Sequence, residues 1–136
     1  MGKEKKHFIL SSSSKNREYI LKKIGVPFTV FSPNISEIAL KKENPTQLTK
    51  RLSFNKANQA KSKFKKKFII SADTVVYSRR KIIEKTNNVN QAKLNLQFLS
   101  GRRHRVYTGI TFFTESGSYY QYVCRSIVKF KLLENK

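Results

Sequence analysis

Phe68-Ile69-Ile70-Ser71-Ala72-Asp73-Thr74-Val75-Val76 is the stretch on which the reading of the fold turns. Phe68 to Ile70 is the apolar run of a buried strand, and Val75-Val76-Tyr77 resumes it. Asp73 stands between the two runs. A carboxylate placed there loses hydration and must be paired, neutralised or coordinated to a metal. The chain has only eight acidic residues, so the placement stands out. A turn in which Asp73 caps local N–H groups is the competing reading, and the pattern alone does not separate the two.

Upstream, His7 to Leu10 is a short apolar run that ends in Ser11, Ser12, Ser13 and Ser14. Tyr19, Ile20, Leu21 and Ile24 then recur at helical spacing, and Gly25 stops the helix in the C-cap position. Strand, polar loop and helix form a βα unit whose loop brings hydroxyls and N–H groups to a helix N-terminus, where an anion is favoured. Pro27 to Phe31 reads as a second strand and 35–44 as a loop. Pro45 fits the first turn of a long helix, with Leu48, Leu52, Asn55, Ala57 and Ala60 on its inner face. The basic run Lys61 to Lys67 at its end suits the negative pole of the helix dipole.

Downstream, Ser78 to Lys81 reads as a turn into a short strand at Ile82-Ile83. Val89 to Leu99 is a helix with Ala92, Leu96 and Leu99 facing inward. Arg105 to Thr114 and Tyr119 to Leu132 are two long strands joined by a turn. The order predicts one α/β domain with an antiparallel section.

The chain has 136 residues, enough for one domain with one core, and ten phenylalanines spread along it. Its formal charge of +21 points to an anionic partner: nucleic acid, a phosphate-rich ligand or an acidic membrane surface. A coding sequence rich in A and T would produce the same excess of lysine without selection for binding. Cys124 is the single cysteine, which excludes an intrachain disulfide and a zinc site built from several cysteines. Phe8 to Leu10 is too short for the apolar region of a signal peptide, and no stretch approaches the length of a membrane span. The expected compartment is a reducing cytoplasm.

Glu37, Glu84 and Asp73 are the carboxylates nearest to apolar strand ends, and two of them converging would suit Mg²⁺ or Mn²⁺. Lys56, on the inner side of the long helix, and Lys85 are candidate phosphate ligands, although either could be an ordinary surface lysine. His104 reads as a structural hydrogen-bonding group rather than a metal ligand. There is neither a Walker-type loop nor a dinucleotide fingerprint.

The order of the pieces adds a resemblance. Ile9 to Phe28 is similar to the opening of the Maf family, a serine-rich loop and basic residues before a helix ending in Gly. Ser32-Pro33-Asn34-Ile35-Ser36-Glu37 looks like its segment with an acidic residue, and Arg51-Leu52-Ser53-Phe54-Asn55-Lys56-Ala57 resembles its helix with a Lys-Ala pair. Ser71-Ala72-Asp73-Thr74 is close to the family's Gly-Ala-Asp-Thr. Glu84-Lys85, Leu99-Ser100-Gly101, His104, Val106, Thr108 and Gly109 follow in the family's order. There are departures: Ser71 replaces a Gly, Asn16 the first of two loop arginines, and Lys15 and Thr86 two prolines. Asn16 exchanges a charged fork for a neutral amide, which weakens phosphate binding at that point.

The resemblance implies a mixed sheet with flanking helices of the inosine-triphosphate-pyrophosphatase type. It implies hydrolysis of nucleoside triphosphates, modified ones among them, to monophosphate and pyrophosphate. Asp73 would be general base or metal-held activator of water, with Glu37 helping to hold a divalent cation, Mg²⁺ or Mn²⁺. Ser12, Arg17, Lys56 and Lys85 would bind the phosphates, and Asn16 and Thr74 would bear on base selectivity. A cytoplasmic enzyme, often a homodimer, is expected, with no membrane partner and no nucleic acid. The matched motifs correspond to about the first two thirds of the family's domain. A later Lys-Ala-Gly-Xaa-Tyr motif and a pocket glutamine have no counterpart, so 1–136 reads as a single domain lacking its C-terminal part. The expected consequences are an exposed apolar face or sheet edge after the last strand and a marginally stable monomer. An inactive remnant of the family and a small basic nucleic-acid-binding protein are the alternatives.

Overall fold

A computed structural model describes residues 7–84, 86 and 88–132. Strand β1 (Phe8–Ser11) leads through helix α1 (Lys15–Ile24) to β2 (Phe28–Phe31), and the long helix α2 (Pro45–Lys63) leads to β3 (Phe68–Ser78). A hairpin adds β4 (Lys81–Ile83), followed by α3 (Val89–Leu99) and the pair β5 (Arg103–Phe113) and β6 (Tyr119–Lys129). The six strands form one sheet in the order β2-β1-β3-β5-β6, with β4 on β3. β1 runs parallel to β2 and to β3; the other pairs are antiparallel. This is the mixed α/β sheet with flanking helices that the sequence predicts.

Local chemistry sets the helix ends. Ser14 caps α1 by accepting from the Arg17 N–H, and Gly25 closes it at φ 82°, a left-handed conformation costly for a residue with a Cβ. Asn44 and Gln47 form a reciprocal capping box around Pro45 at the start of α2.

α2 lies across one face of β3 and β5. It buries Leu48, Thr49, Leu52, Ser53, Lys56, Ala57 and Ala60. Ile9, Ala57, Ala60, Ile69 and Phe113 form one core cluster, and Leu48, Leu52 and Val75 a second. Between them the contact surface is polar. The hydroxyls of Ser53 and Thr111 meet at 2.7 Å in full burial. Small residues let the layers approach: a Cβ on Gly109 would stand 2.6 Å from the Thr49 carbonyl oxygen.

One reading left open is decided and two expectations are corrected. Asp73 is not in a turn: β3 runs unbroken from Phe68 to Ser78 and alternates Ile69, Ser71, Asp73 and Val75 into the core. Lys56 is on the inner side of α2 as expected, but Ser53 rather than Asn55 is buried beside it, Asn55 being only half-buried. Leu99 alone is buried on α3, while Leu96 is 48% exposed. The apolar side chains of α1 are also largely open, with Tyr19, Ile20 and Ile24 exposed.

Because a methyl group at Gly109 meets helix backbone rather than a movable side chain, Gly109→Ala must push α2 off the sheet. The expected cost is about 1–3 kcal/mol, the range for overpacking a closed core. Thermal denaturation of the two proteins checks it; equal melting temperatures would show that the layers can separate freely.

Candidate active site

β1 is flanked by β2 on one side and β3 on the other, and the chain leaves it towards β2 and returns through α2 to β3. In an open α/β sheet, ligands bind outside the carboxyl end of the strand where the connections diverge in this way. The loop at that end is Ser11 to Ser14. It opens into the first turn of α1, whose free N–H groups carry the positive end of the helix dipole.

The loop is tied to its neighbours. The Ser11 hydroxyl donates to the Lys56 carbonyl at 2.6 Å, which fixes α2 against β1 at the residue that matters for the site. The Ser71 hydroxyl donates to the Ser11 carbonyl at 2.9 Å. Ser71, where Gly would be expected from the resemblance, thus adds a buried tie between β3 and β1. Ser12 is buried, and its Oγ accepts from the Ser14 N–H at 3.1 Å.

Lys56 is the centre of the arrangement. Its Nζ lies 2.9 Å from Asp73 Oδ1 and 2.8 Å from Glu37 Oε1. Asp73 and Lys56 are both buried, whereas the Glu37 side chain is 54% exposed. One ammonium therefore joins a carboxylate from mid-strand to one from the loop before α2. Removing one member of such a buried pair leaves an uncompensated charge, at a cost of about 3–5 kcal/mol.

Arg17 approaches the same carboxylates from α1. Its guanidinium donates to Thr74 Oγ1 at 3.0 Å, and Thr74 in turn shares a hydrogen bond with Thr108 at 3.1 Å. Burial pushes the Arg17 pKa down, and the charges of Asp73 and Glu37 act against that. Arg17 stays cationic, as a guanidinium does in any protein.

Two cavities open from this cluster. The first, of about 630 Å³, is lined by Ser12, Ser13, Ser14, Arg17, Glu37 and Lys56 among others. It offers hydroxyls, cations and a helix N-terminus, the groups that suit phosphate oxygens. The second, of about 200 Å³, lies between α2 and the β3–β4 hairpin, with apolar walls from Leu48, Leu52, Val75, Ile82 and others. Asp73, Thr74, Glu37 and Glu84 add its polar groups. Glu37 borders both cavities.

The structure thus brings together Ser12, Arg17, Glu37, Lys56, Asp73 and Thr74. Asn16 is exposed on the first turn of α1 and lines neither cavity. Lys85 lies outside the described residues. His104 is buried edge-on against Phe130, with ring centroids 4.7 Å apart, and its Nδ1 has no hydrogen-bond partner among the described residues. It is remote from this cluster, being at the start of β5. Arg51 is a residue the sequence reading missed. It holds Glu43 at 2.7 and 2.9 Å and donates to the Ile38 carbonyl at 3.0 Å, so it clamps the loop that carries Glu37. An Arg eight residues after a Glu across a helix start gave no sequence signal for this.

Glu43 supplies a pH test of the clamp. The hydrogen bond from Arg51 is the main cause holding its carboxyl below the ordinary value, against the opposing effect of burial. A depressed folded pKa stabilises above the unfolded value and is lost as pH falls through the folded one. Glu43→Gln should therefore cost about 1 kcal/mol at pH 7. The difference should shrink below about pH 4.3. Melting curves of both proteins from neutral to acid pH check this; a gap that persists in acid would mean that charge is not the cause.

The chain is similar to known proteins in sequence and in fold. The model of the Maf-like protein family matches residues 7–136. A nucleoside triphosphate pyrophosphatase of Ehrlichia canis is 41% identical over 128 residues, covering 93% of this chain and 67% of that protein. A dTTP/UTP pyrophosphatase of Chelativorans is 38% identical over 135 residues, covering 94% and 65%. Among solved structures, the nucleoside-triphosphatase / dITP/XTP pyrophosphatase of Mycobacterium abscessus superposes with a TM-score of 0.60. That match covers 90% of this chain and 73% of the other at 12% identity, a likeness of fold alone. With the family model matching residues 7–136 and relatives about 40% identical over nearly the whole chain, the chain belongs to the Maf-like protein family.

Proposed function

We propose that this chain is a nucleoside triphosphate pyrophosphatase. Water adds to phosphorus, the bond to the leaving pyrophosphate breaks, and a nucleoside monophosphate remains. The observation that carries the reading is the Lys56 ammonium held between Asp73 and Glu37 at the edge of a cavity lined by hydroxyls and Arg17. The pyrophosphatase names of the relatives support it.

In this reading Asp73 accepts the proton of the attacking water, and its burial limits competition from solvent. Lys56 orients that carboxylate through its 2.9 Å contact. Ser12, Arg17 and Lys56 meet the phosphates, whose oxygens gain charge as the bond breaks, and Lys85 is assigned the same role from the resemblance. Thr74 positions Arg17 through its hydroxyl and takes part in base selectivity, with Asn16 at the mouth of α1.

A divalent cation fits the donor set. Asp73 and Glu37 are hard oxygen donors that already meet on one cationic centre, the chemistry that suits Mg²⁺ or Mn²⁺. No group of three or more His, Cys, Asp or Glu side chains forms among the described residues. Phosphate oxygens and water would therefore complete the shell, as is usual for Mg²⁺. Bound there, the ion would neutralise phosphate charge and help to acidify water. A cytoplasmic setting belongs to the same reading, and the exposed thiol of Cys124 suits a reducing compartment. No helix among the described residues is long and apolar enough to cross a membrane.

Pyrophosphate release from a mixed nucleotide pool tests the proposal. Turnover should require a divalent cation, stop with excess chelator and return when metal is restored. Asp73→Asn keeps shape but removes the charge, and should lower turnover by roughly 10²–10⁴-fold. Nucleotide affinity should fall much less, because Arg17 and Lys56 still face the phosphates. Undiminished turnover in the folded mutant, or full activity in chelator, would remove the mechanism.

A further inference from the structure

Thr74 and Thr108 stand directly opposite each other in the β3–β5 ladder, one place along from Asp73 and Gly109. Side chains alternate across a sheet, so the two pairs belong to opposite faces. Asp73 and Gly109 lie under α2, where Lys56 and Thr49 meet them. Thr74 and Thr108 belong to the other face, where α1 brings the Arg17 guanidinium to 3.0 Å from Thr74 Oγ1. A single step along β3 thus separates the site's carboxylate from the hydroxyl that holds its arginine.

Arg17, Thr74 and Thr108 are each half-buried. Arg17 donates into a lone pair of Thr74 Oγ1. A hydroxyl with no other partner can swing its own hydrogen towards the arginine, setting donor against donor. Thr108 Oγ1, 3.1 Å from Thr74 Oγ1, supplies that other partner. Bonded on that side, Thr74 keeps a lone pair for Arg17 whichever threonine donates. The arginine needs the hold. The charges of Asp73 and Glu37 pull on it, and its long side chain must give up rotamer freedom before the guanidinium fork can meet an anion. Arg17 also lines the cavity of about 630 Å³, beside Ser12 and Lys56.

We propose that Thr108 is a positioning residue of the active site: through the Thr74 hydroxyl it fixes the Arg17 guanidinium at the wall of that cavity. The proposal rests on the reading of the cavity as the place where the phosphates bind. Thr108 acts through Thr74 and not by contact with the substrate. Its effect is on orientation, to which the rate of a positioned reaction is sensitive. The rival role is local, a cross-strand pair of threonines that stabilises the sheet whatever α1 does.

The test compares Thr108→Val, which removes the hydroxyl and keeps the branched shape, with Thr108→Ser, which keeps the hydroxyl. Hydrolysis of nucleoside triphosphates, affinity for pyrophosphate and melting temperature are measured on the full chain of each. Thr108→Val should lower kcat/KM and pyrophosphate affinity roughly three- to tenfold, the effect of one neutral hydrogen bond. Thr108→Ser should restore both to within about twofold. In a Thr74→Val background, where the link is already cut, Thr108→Val should change neither further. A role confined to sheet stability would instead lower the melting temperature in both backgrounds and leave kcat/KM per folded molecule unchanged. That result, a loss that serine does not rescue, or a loss that adds in full to that of Thr74→Val would overturn the proposal while leaving the site reading in place. A wild-type chain that neither hydrolyses triphosphates nor binds pyrophosphate would overturn the site reading, and the proposal with it.

Discussion

The rest of the structure is arranged around an ammonium ion that cannot leave. Lys56 projects from the buried side of α2 onto a carboxylate in the middle of β3, and both groups are largely withdrawn from solvent. Burying one of the pair would be costly; burying both in contact is tolerable because each satisfies the other. This demand fixes the height and rotation of α2 over the sheet. The helix is then held by bonds that would be unremarkable alone: Ser11 to the Lys56 carbonyl, Ser53 to Thr111, and the bare Cα of Gly109 under Thr49. The polar middle of the layer contact, between two apolar clusters, serves the site as well as the packing.

The same demand explains what the sequence made legible. The strands were readable from apolar runs, and the turn at 78–81 from its position between them. Arg79 and Arg80 adopt left-handed φ values of 48° and 63° there, as the central pair of a tight hairpin, although neither has the side chain that favours this. Helix ends were readable because Gly25 and Pro45 have few other uses. Asp73 was hard to place because its flanking Ser71 and Thr74 belong equally to turns. Only pairing along β5, from Ile69–Phe113 to Tyr77–Arg105, keeps the strand continuous through it.

Other features had no local signature. The inner position of Lys56 on α2 was legible, but its pairing with Asp73, seventeen residues on, was not. Arg51 and Glu43 meet only because the loop folds back on the first turns of α2. The inward side of α3 was misread at Leu96, since Ala92, Leu96 and Leu99 form a fair helical pattern, yet the helix packs mainly through Leu99. What periodicity could not supply, the order of short motifs did, because it reflects a whole arrangement rather than one contact.

The pairing of the acidic residues has a consequence for how the molecule meets its surroundings. Glu18 lies near Lys15 and Lys22, Glu43 is held by Arg51, and Glu37 and Asp73 share Lys56. These carboxylates act over a few ångströms and cancel charges beside them. With 29 basic against eight acidic residues in the chain, the far field is almost wholly positive. A highly charged anion such as a nucleotide is drawn in from beyond contact distance, faster in dilute salt than in concentrated salt. The field makes no distinction between what enters and what has to depart, so the attraction that hastens capture also retards the escape of anionic products.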